Sequence, residues 1–138
     1  MLLNAAKADQ ERKFKMRTFY PPVYTITAAE DLSNSINRFI GFDGKICAPE
    51  AKALGILLAN TNMGDQAPIA ITGVAFVLTD FDINRGQLVE CSADGKANCI
   101  EDGIANGIAM GTTSGNIPNQ MLRISLYGRI PVLGDVNI

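Results

Sequence analysis

The chain has 138 residues, 47% apolar and 19% charged, with a formal net charge of −2 and no histidine. That is room for one domain with a real core, and it excludes global disorder. The missing imidazole removes Ser-His and Cys-His nucleophile pairs, histidine metal ligands and the usual general base near neutral pH.

At the N-terminus, Met1-Leu2-Leu3 gives way at once to Lys7, Asp9, Gln10, Glu11, Arg12 and Lys13. This is not the apolar stretch of a secretory signal, and no apolar run reaches the ~18 residues of a membrane span. The expectation is a protein made in the cytosol with no membrane partner. Residues 1–20 carry five basic residues (Lys7, Arg12, Lys13, Lys15, Arg17) against Asp9 and Glu11, while the remainder holds seven basic against twelve acidic. Positive charges interrupted by carboxylates make a weak phosphate footprint, so nucleic acid is not expected as a partner.

Residues 1–35 combine charge, aromatics and Pro21-Pro22, with no sustained period of 2 or 3.6. Consecutive prolines favour an extended path. The segment reads as an arm that orders on a partner. It holds four of the nine aromatic residues, Phe14, Phe19, Tyr20 and Tyr24, which a thin arm cannot bury within itself. The candidate contact residues are therefore Lys13, Phe14, Arg17, Phe19, Tyr20, Pro21, Pro22 and Tyr24.

From Ile36 the texture changes. Glycines punctuate short apolar runs at strand-and-turn spacing, and Asp43-Gly44 and Asp94-Gly95 are hairpin-type turn dipeptides. Strands are expected at Arg38–Phe42, Leu54–Ala59, Pro68–Thr72, Val74–Leu78, Gln87–Cys91 and Met121–Tyr127. Pro49–Ala53 is the one helix candidate, and it is very short. Asp43-Gly44-Lys45 recurs as Asp94-Gly95-Lys96, and Ala53-Leu54-Gly55-Ile56 as Ala105-Asn106-Gly107-Ile108, about 51 to 52 residues later. Gly64 matches Gly115, and Ile69-Ala70-Ile71 matches Leu122-Arg123-Ile124 less strictly. Two such units joined by Val74–Arg85 predict an all-β, pseudo-duplicated barrel or sandwich over residues 36–138.

Candidate chemistry is thin. Asp80-Phe81-Asp82-Ile83-Asn84-Arg85-Gly86 begins like a calcium loop, yet Arg85 and Cys91 stand where that loop needs glycine and a bidentate glutamate. No metal is expected. The glycine-rich stretches 103–107 and 111–115 lack the Lys-Ser/Thr of a phosphate loop, and no cofactor is expected. The adjacent carboxylates Glu30-Asp31 and Glu101-Asp102 point to opposite faces in extended chain and read as solvated charge. Three cysteines disfavour a disulfide framework. A three-residue loop at 94–96 would set Cys91 opposite Cys99, whereas a two-residue loop would offset them by one. A reduced pair is expected in a cytosolic product.

The order of Ala53-Leu54-Gly55-Ile56, Gly64-Asp65-Gln66-Ala67-Pro68-Ile69, Thr72-Gly73-Val74-Ala75, Gly86-Gln87-Leu88-Val89, Asp94-Gly95-Lys96, Asn106-Gly107-Ile108-Ala109-Met110 and Leu122–Leu126 resembles the capsid cement, or head-decoration, proteins of tailed bacteriophages. The resemblance spans residues 38–128. It implies a non-enzymatic protein on the capsid exterior of a virion, made in the host cytoplasm, whose partners are the major capsid protein and copies of itself, often as a homotrimer. The N-terminal arm is longer than the family pattern. Rival expectations are another virion part, such as a head-fibre base or tail component, and a β-barrel module for carbohydrate or another ligand.

Overall fold

The computed structural model describes residues 23–126. They form nine β-strands and a single 3₁₀ turn at Ala93–Gly95. The strands are β1 (Val23–Thr27), β2 (Phe39–Ile40), β3 (Gly55–Leu57), β4 (Gln66–Ala70), β5 (Gly73–Thr79), β6 (Leu88–Cys91), β7 (Ala97–Cys99), β8 (Gly107–Ala109) and β9 (Gln120–Leu126). The all-β expectation holds. All six expected strands are present with shifted ends, and Pro49–Ala53 forms turn and bend rather than helix.

Two sheets account for everything. One is four-stranded, in the order β1-β4-β3-β2, and the other closes into a barrel in the order β5-β7-β6-β8-β9. The duplication read from the sequence is a duplication of topology, with the last match shifted by two: the register sets Ile69 against Ile124, not Leu122. In the barrel, β5-β9-β8-β6 repeats the order β1-β4-β3-β2, each neighbouring pair antiparallel. The isolated bridges repeat too, Leu32 with Thr61 in the first half and Ile83 with Thr113 in the second. What the second half adds is β7. It pairs with β6 and, through Thr79 and Ala97, with β5, which closes the barrel. In the first half the counterpart of β7 is one bridge, Ile40 with Ile46, and the sheet stays open.

The repeated pair Gly55 and Gly107 has one cause. A side chain at Gly107 would sit 2.8 Å from the Ser125 carbonyl oxygen, and one at Gly55 would collide with that of Ala70. Both glycines open a strand where the neighbouring strand crosses too closely for a Cβ.

Two expectations change together. The arm was drawn through residue 35, but β1 pairs along its whole length with β4, and Ala28 and Leu32 are buried. Val74–Arg85, expected as a linker, contains most of β5, the first strand of the second half. The body thus begins at or before Val23, and residues 1–22 lie outside the described residues.

Side chains on the two faces of the first sheet go to different cores. Ile40, Leu57, Ala67 and Ile69 join Ala28 and Leu32 in a core of their own. Phe39, Ile56 and Ala70, on the other face, share one core with the barrel interior: Ala75, Val77, Val89, Cys91, Leu122, Ile124 and Leu126. The first sheet therefore plugs the barrel.

Candidate functional site

The strap between the halves is built first from hydrogen bonds. Residues 47–53, which link β2 to β3 of the first sheet, lean on the barrel. The Asn106 side chain, 2% exposed, accepts from the Ala53 N–H at 2.9 Å and donates to the Ala51 carbonyl at 3.1 Å. The Glu50 N–H donates to the Cys91 carbonyl at 2.7 Å, and the Ile104 N–H donates to that of Glu50. Glu90, buried, accepts from the N–H groups of Glu101 and Gly103, which folds loop 101–103 against the strap. This joint is fully hydrogen-bonded and structural in character.

The other chemistry-bearing groups are likewise in use. Asp80 accepts from Lys96 Nζ at 2.8 Å and from the Asn119 N–H at 2.6 Å, and the lysine contact holds its carboxyl below the usual carboxylate range. Asp82 accepts from the Gly115 N–H. Loop 80–86 is thus tied to 113–119, with its carboxylates spent on turn geometry. Among the described residues no three His, Cys, Asp or Glu side chains converge as a cation cage.

All three cysteines are free thiols. The β6–β7 register sets Cys91 opposite Ala97 and Cys99 opposite Val89, because the connection runs over residues 92–96. Neither loop length considered from the sequence is the one adopted, and Cys91 is not opposed to Cys99. Its neighbour is Cys47, whose carbonyl accepts from the Cys91 thiol at 3.4 Å. The hydrogen bond from Cys91 lowers the Cys47 thiol pKa, while the same contact and burial push Cys91 up.

What remains are surfaces. Of the expected contact residues, Lys13, Phe14, Arg17, Phe19, Tyr20, Pro21 and Pro22 lie outside the described residues. Tyr24 is on β1, half exposed at 52%, and lines an apolar groove of about 360 Å³. The groove crosses the end of the first sheet: Tyr24 and Ile26 from β1, Phe42 beyond β2, Lys52, Ala53 and Leu54 before β3 and Ile71 beyond β4. It is the partly open margin of the first sheet's own core.

The second surface is the outside of the barrel. Leu88, Ile108, Ser125 and Val74 stand side by side across β6, β8, β9 and β5. Phe76 and Arg123 pair in the next row, the guanidinium 5.3 Å from the ring centre, and Leu78 and Met121 in the one after. Val74, Phe76, Leu88 and Met121 are among the exposed large apolar side chains. Contiguous apolar surface of this kind marks an interaction site rather than an ordinary solvent face. The outer face escaped the sequence reading, though β5 carried a signal: its outward Val74, Phe76 and Leu78 are not the polar residues expected of a strand facing water.

No family model matches the chain, and no curated protein matches it either. Among solved structures, the fold is similar to the crystal structure of the head fiber gp8.5 N base of bacteriophage phi29, with a TM-score of 0.62 and 15% identity over 80% of this chain and 97% of that one. At this identity the likeness is one of fold.

Proposed function

We propose that this chain is a non-enzymatic structural protein of a tailed-phage virion, bound to the outside of the assembled head, where it ties neighbouring capsid subunits together. The observation that carries the reading is the fold: the described body is built like the base of a phage head fiber, and nearly all of that base is matched. The exposed apolar groove and barrel face support it, since a protein that works by contact keeps such surfaces uncovered.

In this reading the partners are the major capsid protein and neighbouring copies of the chain, with a homotrimer as the expected unit. Lys13, Phe14, Arg17, Phe19, Tyr20, Pro21, Pro22 and Tyr24 meet the shell. A contact segment attached to a docked body acts at high effective concentration, so modest contacts add to strong retention. The second reading, the base of a head fibre, draws on the same likeness more directly. It places a few copies at particular sites instead of many across the shell.

Co-sedimentation with heads that lack the protein, from the virus that encodes it, tests both. Saturable binding at many copies per head supports the decoration reading. Saturation at a few copies supports the fibre base, and no binding overturns both. The contact residues are tested by removing residues 1–22, which leaves every described strand in place. Undiminished binding by that variant sinks the assignment.

A further inference from the structure

The two halves of the chain meet head-to-tail. The outer row of the first sheet, Phe39, Ile56 and Ala70, is fully buried in the core that fills the barrel. It enters at the barrel end bounded by Ala75, Val77 and Leu126, next to the 92–95 turn and Asn106. Each half thus has a face that inserts and an end that receives, because each half has the same strand order.

Two of these four surfaces are left uncovered by the described residues. The repeat carries the inserting row Phe39, Ile56, Ala70 onto Leu88, Ile108, Ser125, and the register pairs match one for one. There the first-half residues are buried, but Leu88 is 37% exposed, with Val74 beside the row at 47%. The repeat likewise carries Ala75, Val77, Asn106 and Leu126 at the receiving end back onto Tyr24, Ile26, Leu54 and Ile71. Those four residues line the groove, together with Phe42, Lys52 and Ala53. The groove is the first half's receiving end, and none of the described residues inserts there.

We propose that copies of this chain join head-to-tail, the outer row of one copy's barrel seated in the groove of the next. The occupant is argued from the contact already made inside each chain, which the intermolecular contact would repeat with the same strand order and equivalent positions. The row itself carries no ionic side chain and seats apolar surface, while the groove contributes one cation, Lys52, at its lining. A contact between two different surfaces is heterologous, and it closes into a ring or grows into a filament. Tyr24 then belongs to the contact between copies, and the residues before it remain for the shell. The proposal rests on the duplicated architecture and is independent of the virion reading.

The test is sedimentation velocity of the full chain with two variants at exposed positions: Leu88→Asp on the inserting face and Phe42→Asp in the groove. The wild type is expected to sediment as an assembly. Each variant alone is expected as a monomer with an unchanged circular dichroism spectrum. Mixed in equal amounts, the two variants should recover a dimer and nothing larger, since one intact face then meets one intact groove. A monomeric wild type at the highest soluble concentration overturns the proposal. So does either folded variant assembling as the wild type does, or a mixture that stays monomeric. Should a variant fail to fold, Val74→Asp and Tyr24→Asp replace it on the same two surfaces.

Discussion

Gly55 and Gly107 tie a sequence signal to a physical cause. Both stand out as the third residue of a repeated motif, and both occupy points where a crossing strand leaves no space for a Cβ. A methyl group at Gly107 would press on the Ser125 carbonyl at 2.8 Å and on Ile124 Cδ1 at 3.0 Å. Gly107→Ala is therefore expected to cost about 1–3 kcal/mol in urea unfolding. Gly111→Ala, where the nearest atom is Leu122 Cδ1 at 4.0 Å, is the near-neutral control. Asp80 supplies a pH signature. Its carboxyl is held below the ordinary 3.8 by Lys96 and the Asn119 N–H, so the folded state favours the ion. The stabilisation is fully present above the ordinary value and is lost as pH falls below it through the depressed one. In acid titrations below about pH 4, Asp80→Asn should flatten part of the wild-type loss of stability. An unchanged slope would assign that loss to other carboxylates.

At the level of elements, the sequence revealed strands where aliphatic runs are bounded by glycine, and it missed those that are not. β1 lies between Pro21-Pro22 and a polar loop, and its Val-Tyr-Thr-Ile-Thr has no neighbouring glycine to mark its ends. Its counterpart β5 was read as a strand but set in a linker, because the two share little sequence. Inward Tyr24 and Ile26 correspond to Ala75 and Val77, and outward Thr25 and Thr27 to Phe76 and Leu78. The differences follow from the surroundings: β5 faces a closed interior already filled by Phe39, Leu122 and Ile124, whereas β1 faces an open groove that takes a tyrosine. β7 and β8 left little trace because Ala-Asn-Cys and Gly-Ile-Ala hold one large aliphatic residue between them. Leu32 tests the corrected boundary. It is fully buried, yet lies in the stretch first read as arm. Leu32→Ala is expected to cost about 2–5 kcal/mol in chemical denaturation, where an arm residue would cost nothing measurable.

For the molecule as a whole, the shared core decides how it unfolds. Phe39 belongs by sequence and pairing to the first sheet, yet its ring is buried with Val77, Val89, Leu122 and Ile124 of the barrel. The strap adds the Asn106 hydrogen bonds to Ala51 and Ala53 across the same boundary. Two repeats joined only by chain would open separately, as weakly coupled units do. Here the second half lacks a complete core without a side chain from the first. The expectation is one cooperative transition, with near- and far-ultraviolet signals coincident in denaturant. Phe39→Ala should lower it by about 3–5 kcal/mol. Native-state hydrogen exchange gives the sharper reading. In Phe39→Ala the amides of β5 and β9 should lose protection together with those of β3 and β4. Loss confined to β2–β4 would mean that the halves are energetically separate, and that the intrachain contact is too weak to serve as the template for one between copies.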